Sequence, residues 1–158
     1  MSAFTFTDEN IAEFELLKLR YPQVDSLTLP CLWMAQYQEG FISKDAMIYI
    51  ANLLGMSPAQ IYGIASFYTM FKLSPIGNHH IEVCKTLSCK LCGKDEILSH
   101  LKKHYKLEPG QTSKDGKFTL SLVECMGACG GAPMISLDES YHENITIKEL
   151  DSLLGNLS

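Results

Sequence analysis

The stretch "CKTLSCKLCG" (residues 84–93) decides how the second half of this chain folds, and it holds three of the six cysteines. These three thiols can be grouped in three ways. Cys84, Cys89 and Cys92 together form C-x4-C-x2-C, Cys89 and Cys92 alone form C-x2-C, and Cys84 and Cys89 alone form C-x4-C. Each grouping corresponds to a different chemistry, so the residues around the stretch must decide between them.

The first two groupings leave some of the cysteines without a role. C-x4-C-x2-C is the spacing of plant-type [2Fe–2S] ferredoxins, which need one more cysteine downstream, whereas this chain supplies a second pair, Cys125 and Cys129. C-x2-C ahead of a helix is typical of dithiol oxidoreductases, because a helix N-terminus favours the thiolate. That interpretation uses Cys89 and Cys92 but leaves Cys84 and the second pair unexplained.

The third grouping uses two pairs, C-x4-C at Cys84 and Cys89 and C-x3-C at Cys125 and Cys129, each following a predicted strand. Two loops at one end of a sheet can bring four thiolates together, as an iron–sulfur cluster requires. The glycines of "MGACGGAP" (126–133) allow backbone N–H groups to approach the sulfur atoms. A structural zinc site is the alternative, although zinc ligand pairs more often have C-x2-C spacing. The last cysteine of the opening stretch is then not a ligand.

The hydrophobic pattern divides the chain into a helical half and an α/β half. Up to residue 75, apolar residues recur at helical spacing in four short segments, with Gly40 and Gly55 at two of the helix ends. Beyond it, "HHIEVC" and "KFTLSLVEC" alternate as strands that end at the first cysteine of each pair, and the predicted order is β-α-β-β-β-α. The sequence therefore predicts an α+β protein, with a small helical bundle at 1–75 and an α/β domain at 76–158. Both cysteine pairs are expected in the loops after the first two strands.

The composition excludes several classes of partner. The chain is 46% hydrophobic and 20% charged with a net charge of −5, whereas a nucleic-acid surface needs clustered Lys and Arg. The most apolar stretch, "MIYIANLLGM" (47–56), is too short for direct insertion into a membrane. The first residues lack the pattern of a signal peptide. We therefore expect a cytoplasmic protein, associated with a membrane only through a larger complex.

Two long segments, "SPAQIYGIASFYTMFKLSPIGNHHIEVCKTLSC" (57–89) and "DGKFTLSLVECMGACGGAPM" (115–134), identify a related family. They closely resemble the thioredoxin-like [2Fe–2S] ferredoxin subunit of NADH:quinone oxidoreductase, respiratory complex I. The same family serves NAD-reducing and bifurcating hydrogenases and NAD-dependent formate dehydrogenases. The resemblance implies that 76–158 is a thioredoxin-like domain and that one [2Fe–2S] cluster is bound by four cysteines: Cys84, Cys89, Cys125 and Cys129.

The resemblance also implies a function. The chain would be an electron-transfer subunit of an NADH dehydrogenase peripheral module, passing single electrons between its own cluster and the FMN of a partner. That partner would be an FMN-containing flavoprotein subunit that binds NADH and forms a heterodimer with this chain. No G-x-G-x-x-G or P-loop pattern is present, so the isolated chain is expected to bind no NADH and to have no catalytic activity. The alternatives are the same module in a hydrogenase or formate dehydrogenase, and a stand-alone thiol oxidoreductase that uses Cys89 and Cys92.

Three further residues are of types that can bind a metal or react, but we interpret them as structural. Cys31 lies in an apolar helical segment and is expected to be a small core residue. His100 and His104 stand four residues apart on a predicted helix, as zinc ligands can. Because no third ligand accompanies them, we expect both histidines on a solvated helix face.

Overall fold

The computed structural model describes residues 4–157, and the chain divides after Pro75 into two compact units. The first unit is helical, and the second contains a five-stranded sheet with helices packed against it. Within residues 4–157, no helix is both long and apolar enough to cross a membrane.

The first unit contains the four predicted helices: α1 (Asp8–Lys18), α2 (Thr28–Glu39), α3 (Lys44–Leu54) and α4 (Pro58–Phe67), with a 3-10 turn (Val24–Leu27) before α2. Local residues explain the helix ends. Thr7, Ser43 and Ser57 precede α1, α3 and α4, and each accepts a backbone N–H with its side chain. Gly40 and Gly55 end α2 and α3 in the left-handed conformation, as their positions in the sequence predict.

The core of the first unit is formed by side chains from all four of its helices, with Phe14 as the buried residue of α1. Leu32, Ile50 and Ile61 are fully buried there, and Cys31 is buried beside Leu32. Burial raises the pKa of the Cys31 thiol to about 12, so this cysteine remains a protonated apolar side chain at neutral pH. The prediction that Cys31 is a core residue is confirmed.

The second unit is built on a mixed sheet with the strand order β2-β3-β1-β4-β5. The strands are β1 (His79–Cys84), β2 (Gln111–Thr112), β3 (Phe118–Val123), β4 (Ile135–Leu137) and β5 (Ser140–His142). β1 is central, parallel to β3 and antiparallel to β4. Ile81 of β1 and Leu120 of β3 are register partners and fully buried.

The second unit also contains helices. They are α5 (Leu87–Leu91), α6 (Lys94–His100), which continues into a π-helical turn (Leu101–Tyr105), and α7 (Ile147–Gly155). Leu101 and Leu150 are fully buried in the same cluster as the sheet residues. α7 begins with a capping box between Thr146 and Glu149.

The interpretation of His100 and His104 as a solvated pair is wrong for His100. Its Nε2 lies 2.7 Å from Oδ1 of Asp151 in α7, and the same oxygen accepts a hydrogen bond from Tyr105 at 2.8 Å. The two imidazole rings stack with their centroids 4.4 Å apart. His100 therefore links α6 to α7, a contact between elements that sequence spacing alone does not contain.

Two short elements differ from the sequence expectation. The prediction that the first pair continues into a loop is wrong for Cys89, which lies within α5, whereas Cys84 ends β1 as predicted. The two-residue strand β2 is not part of the predicted order β-α-β-β-β-α. Both elements are too short to show a hydrophobic period, which explains why the pattern did not reveal them.

Candidate metal centre

Two neighbouring strands bring the first thiol of each pair to one edge of the sheet. β1 and β3 are parallel, with Cys84 opposite Val123. Cys84 is the last residue of β1, and Cys125 lies two residues beyond the end of β3. Because parallel neighbours end at the same edge of a sheet, the topology brings Cys84 and Cys125 near each other.

The first pair is buried. Cys84 and Cys89 are only 1% and 2% exposed, and together with Met134 they form a small apolar cluster. The partly buried Met126 packs against this cluster. One hydroxyl reaches it as well, since Oγ1 of Thr86 lies 3.2 Å from Sγ of Cys84. The apolar side chains therefore keep water away from one side of the thiols.

The second pair is exposed, and a glycine shapes the loop between its two cysteines. Sγ of Cys125 and Sγ of Cys129 are 3.6 Å apart. Gly127 has a φ of 84°, which glycine adopts without the strain of a side chain. Its backbone N–H donates a hydrogen bond to Sγ of Cys125 at 3.4 Å. Hydrogen bonds of this kind tune the reduction potential of iron–sulfur centres.

The thiol pKa values indicate that the two pairs interact. Burial raises the pKa of Cys84, but hydrogen bonds, foremost from Thr86, outweigh it and leave the pKa below its ordinary value. Burial raises the pKa of Cys89, and the nearby Cys84 and Cys129 raise it further. The backbone N–H of Gly127 is the largest cause of the lowered pKa of Cys125. The four thiols therefore form one cluster, in which the first pair is buried and the second pair is exposed.

The donor set fits a two-iron cluster better than a single ion. A structural zinc ion needs four ligands around one centre. A [2Fe–2S] cluster instead spreads four thiolates over two irons, and the four cysteines occur as two close pairs at one sheet edge.

The remaining cysteine of the opening stretch lies in different surroundings. Cys92 is exposed and lines a surface cavity of about 380 Å³ together with Pro133 and Thr146. Cys89, three residues earlier, contacts Cys84. A raised pKa and burial make Cys89 a poor nucleophile, so the geometry favours a ligand over a dithiol at this position.

Sequence reasoning missed one polar residue of the site. Thr86 stands between Cys84 and Cys89, and its hydroxyl lies within hydrogen-bond distance of Sγ of Cys84. A threonine immediately before a helix ordinarily caps that helix. Because α5 was not recognised in the sequence, the alternative use of this hydroxyl could not be considered.

Fold and site together define a class of protein: an α/β domain with two cysteine pairs at one sheet edge, suited to an iron–sulfur cluster. Residues 14–158 match the profile of the thioredoxin-like [2Fe-2S] ferredoxin family, and the chain belongs to this family. The resemblance inferred from the sequence and the predicted α+β, thioredoxin-like fold are thereby confirmed. Family membership also supports an iron–sulfur cluster as the cofactor.

Named relatives come from bacteria and from a eukaryote. The chain is 39% identical over 142 residues to one of the NADH-quinone oxidoreductase subunits of Rhizobium meliloti (strain 1021), covering 90% of this chain and 84% of that protein. It is 40% identical over 157 residues to mitochondrial NADH dehydrogenase [ubiquinone] flavoprotein 2 of Dictyostelium discoideum, covering 98% of this chain and 64% of the relative. Both relatives are named as parts of NADH dehydrogenases.

A solved structure shares the fold. An NAD+-reducing [NiFe]-hydrogenase in the air-oxidised state superimposes with a TM-score of 0.72 at 20% sequence identity. The match covers 83% of this chain and 22% of the hydrogenase chain. At this identity, the similarity concerns the fold alone.

Proposed function

We propose that this chain is the [2Fe–2S] electron-transfer subunit of an NADH dehydrogenase module, within an NADH:quinone oxidoreductase complex. Its family and its relatives' names support this assignment. The observation that carries the proposal is the meeting of two cysteine pairs at the ends of the parallel strands β1 and β3. A role in electron transfer needs no substrate pocket in this chain, only a one-electron centre and access to it.

Four thiolates would hold the cluster: Cys84, Cys89, Cys125 and Cys129. When bound, the cluster accepts and releases one electron at a time. Met134 and Met126 exclude water from the side of the first pair. The second pair is exposed, so that side remains accessible to an electron donor or acceptor. The two pairs therefore divide the site into an insulated side and an exchange side.

A flavoprotein partner follows from the chemistry of NADH. NADH gives up a hydride, which carries two electrons, whereas a single [2Fe–2S] cluster takes one, so a flavin must mediate between them. We therefore assign FMN and NADH binding to a partner subunit that forms a heterodimer with this chain. Residues 76–158 would be the ferredoxin domain, and the helical unit 1–75 would contribute the docking surface for that partner.

The test is to purify the full chain alone and together with a flavoprotein subunit of the same complex. Iron and acid-labile sulfide should be equimolar, and an EPR signal should arise only after reduction. NADH should reduce the cluster in the heterodimer but not in the isolated chain. Stoichiometric zinc without sulfide would exclude the proposed cofactor, and NADH oxidation by the isolated chain would exclude the division of roles between subunits.

A further inference from the structure

The hydroxyl of Thr86 makes an unusual contact for its position. Thr86 immediately precedes α5, where a threonine side chain commonly accepts a backbone N–H of the first helical turn. Here it makes no such bond, whereas Thr146, in the same position before α7, does. Instead, Oγ1 of Thr86 lies 3.2 Å from Sγ of Cys84. The hydroxyl is therefore directed to the cysteine sulfur and not to the helix.

The direction of this hydrogen bond is fixed once the cysteine is a ligand. A metal-bound thiolate carries no proton, so the hydroxyl of Thr86 must donate and the sulfur must accept. Thr86 also contributes to the electrostatic environment of Cys125, the first thiol of the second pair. One hydroxyl thus lies close to a thiol from each strand end.

We propose that Thr86 is a positioning residue that raises the reduction potential of the cluster through its hydrogen bond to Cys84. This inference rests on the proposed function, since it requires the cluster to be held there. Reduction adds one electron from the donor, breaks no bond and leaves the hydroxyl proton on Thr86. The added electron increases the negative charge on the sulfur atoms, so a donated hydrogen bond stabilises the reduced form more than the oxidised form.

The test compares variants of the full chain with the cluster bound, using an EPR-monitored redox titration. Thr86→Val removes the hydroxyl but keeps the shape of the side chain. At the wild-type midpoint, we expect its ratio of reduced to oxidised cluster to fall about tenfold, which corresponds to about 59 mV for one electron. Thr86→Ser keeps the hydroxyl and therefore the hydrogen bond. Its ratio of reduced to oxidised cluster should remain within about twofold of wild type.

A matched control separates this effect from a general loss of hydroxyls. Oγ1 of Thr112 is hydrogen-bonded to Oγ1 of Thr119 at 2.7 Å, in the same sheet. Thr112→Val makes the same chemical change and should leave the potential unaltered. As a second readout, one hyperfine coupling of a proton that exchanges in D2O should be present in the wild type and in Thr86→Ser and missing from Thr86→Val, whereas the couplings of backbone N–H groups such as that of Gly127 should remain in all variants.

The outcomes distinguish this inference from the proposed function. An unchanged potential in Thr86→Val, or an equal shift in Thr86→Ser or Thr112→Val, would overturn the role of the hydroxyl while leaving the cluster assignment intact. If both Thr86→Val and Thr86→Ala failed to retain a cluster, Thr86 would be a structural residue and the inference would be wrong. A wild-type chain that never carries a cluster would overturn the proposed function itself.

Discussion

At the scale of single residues, the surroundings of each cysteine decide its role, and the spacing does not. Cys89 and Cys92 have the C-x2-C spacing of a redox dithiol, but Cys89 is 2% exposed whereas Cys92 is exposed at the edge of a cavity. Thiol chemistry requires an accessible thiolate, and burial raises the pKa of Cys89. The same burial suits a cluster ligand, because it keeps water from the metal.

The first prediction concerns the ligand set. Replacing Cys92 by Ser should leave the iron and sulfide content and the visible spectrum unchanged, because its thiol lies on a separate cavity. Serine at one of the four proposed ligands should abolish the cluster or reduce its content severalfold, since a thiolate donor is lost. An essential Cys92 combined with a dispensable Cys125 or Cys129 would show that the plant-type grouping is correct.

The second prediction concerns the loop between Cys125 and Cys129. Gly127→Ala places a side chain at a φ of 84°, which costs about 1–2 kcal/mol, and it disturbs the N–H that donates to Cys125. We expect faster loss of the cluster on dilution into a chelator, measured by the decay of its visible absorbance. Gly130→Ala is the control, because a Cβ at either glycine meets no atom within 4 Å but Gly130 does not have a positive φ. Equal decay of the two variants would contradict the role assigned to Gly127.

At the scale of elements, local sequence signals predicted the helices of the first unit. Much of the second unit depends instead on contacts between residues that are distant in sequence. Ser57 with Pro58 begins α4, and Gly55 ends α3, so these boundaries are readable from adjacent residues. α5 has five residues, and its position is set by Cys89, which packs against Met134 of another segment. Its position depends on that packing, and no local period records it.

The same distinction between local signals and distant contacts applies to the candidate site. The four proposed ligand positions could be predicted because they follow two strands with clear alternation. The hydroxyl of Thr86 and the approach of Met134 could not be, because each depends on how α5 and the segment before β4 fold over the sheet edge. The proposed donor residues can thus be named from the sequence, whereas the groups that modify them are set by tertiary contacts.

The third prediction concerns the entry into β1. A Cβ on Gly77 would lie 2.8 Å from the carbonyl oxygen of Gly116 and 2.9 Å from the backbone carbon of Lys117. Backbone atoms cannot give way as a flexible side chain can, so Gly77→Ala should separate β1 from the turn before β3. We expect a loss of about 1–3 kcal/mol in unfolding free energy, measured by urea denaturation.

Gly63→Ala is a control for which the expected change in unfolding free energy has the opposite sign. Gly63 lies inside α4, and a Cβ added there would meet no neighbouring atom within 4 Å, while alanine is favoured over glycine in a helix by up to about 1 kcal/mol. Gly63→Ala should therefore stabilise the first unit. If Gly77→Ala proved as harmless as Gly63→Ala, the close approach of β1 to the turn would not matter for stability.

At the scale of the whole molecule, the chain consists of two units with separate cores, and only the second contains the proposed ligands. The first unit must therefore contribute something other than metal binding. It exposes large aromatic side chains, with Tyr37 and Phe67 74% and 76% accessible. Tyr37 stacks on Trp33, and Phe67 packs edge-on against Tyr68. Exposed aromatic side chains are enriched where proteins bind one another.

The last prediction tests the assignment of docking to the first unit. Residues 76–158 alone should retain the cluster, because the four cysteines and the core of the second unit lie within this range. The truncated chain should nevertheless lose at least tenfold in affinity for the flavoprotein subunit, measured by calorimetric titration. Phe67→Ser in the full chain should weaken binding in the same direction, since aromatic anchors contribute much of the energy of an interface. Leu19→Ser is the matched control, because Leu19 is 85% exposed and not aromatic, and it should bind as the wild type does. Unchanged binding by residues 76–158 would move the interface to the cluster domain, where the exposed pair of thiols would then face the flavin directly.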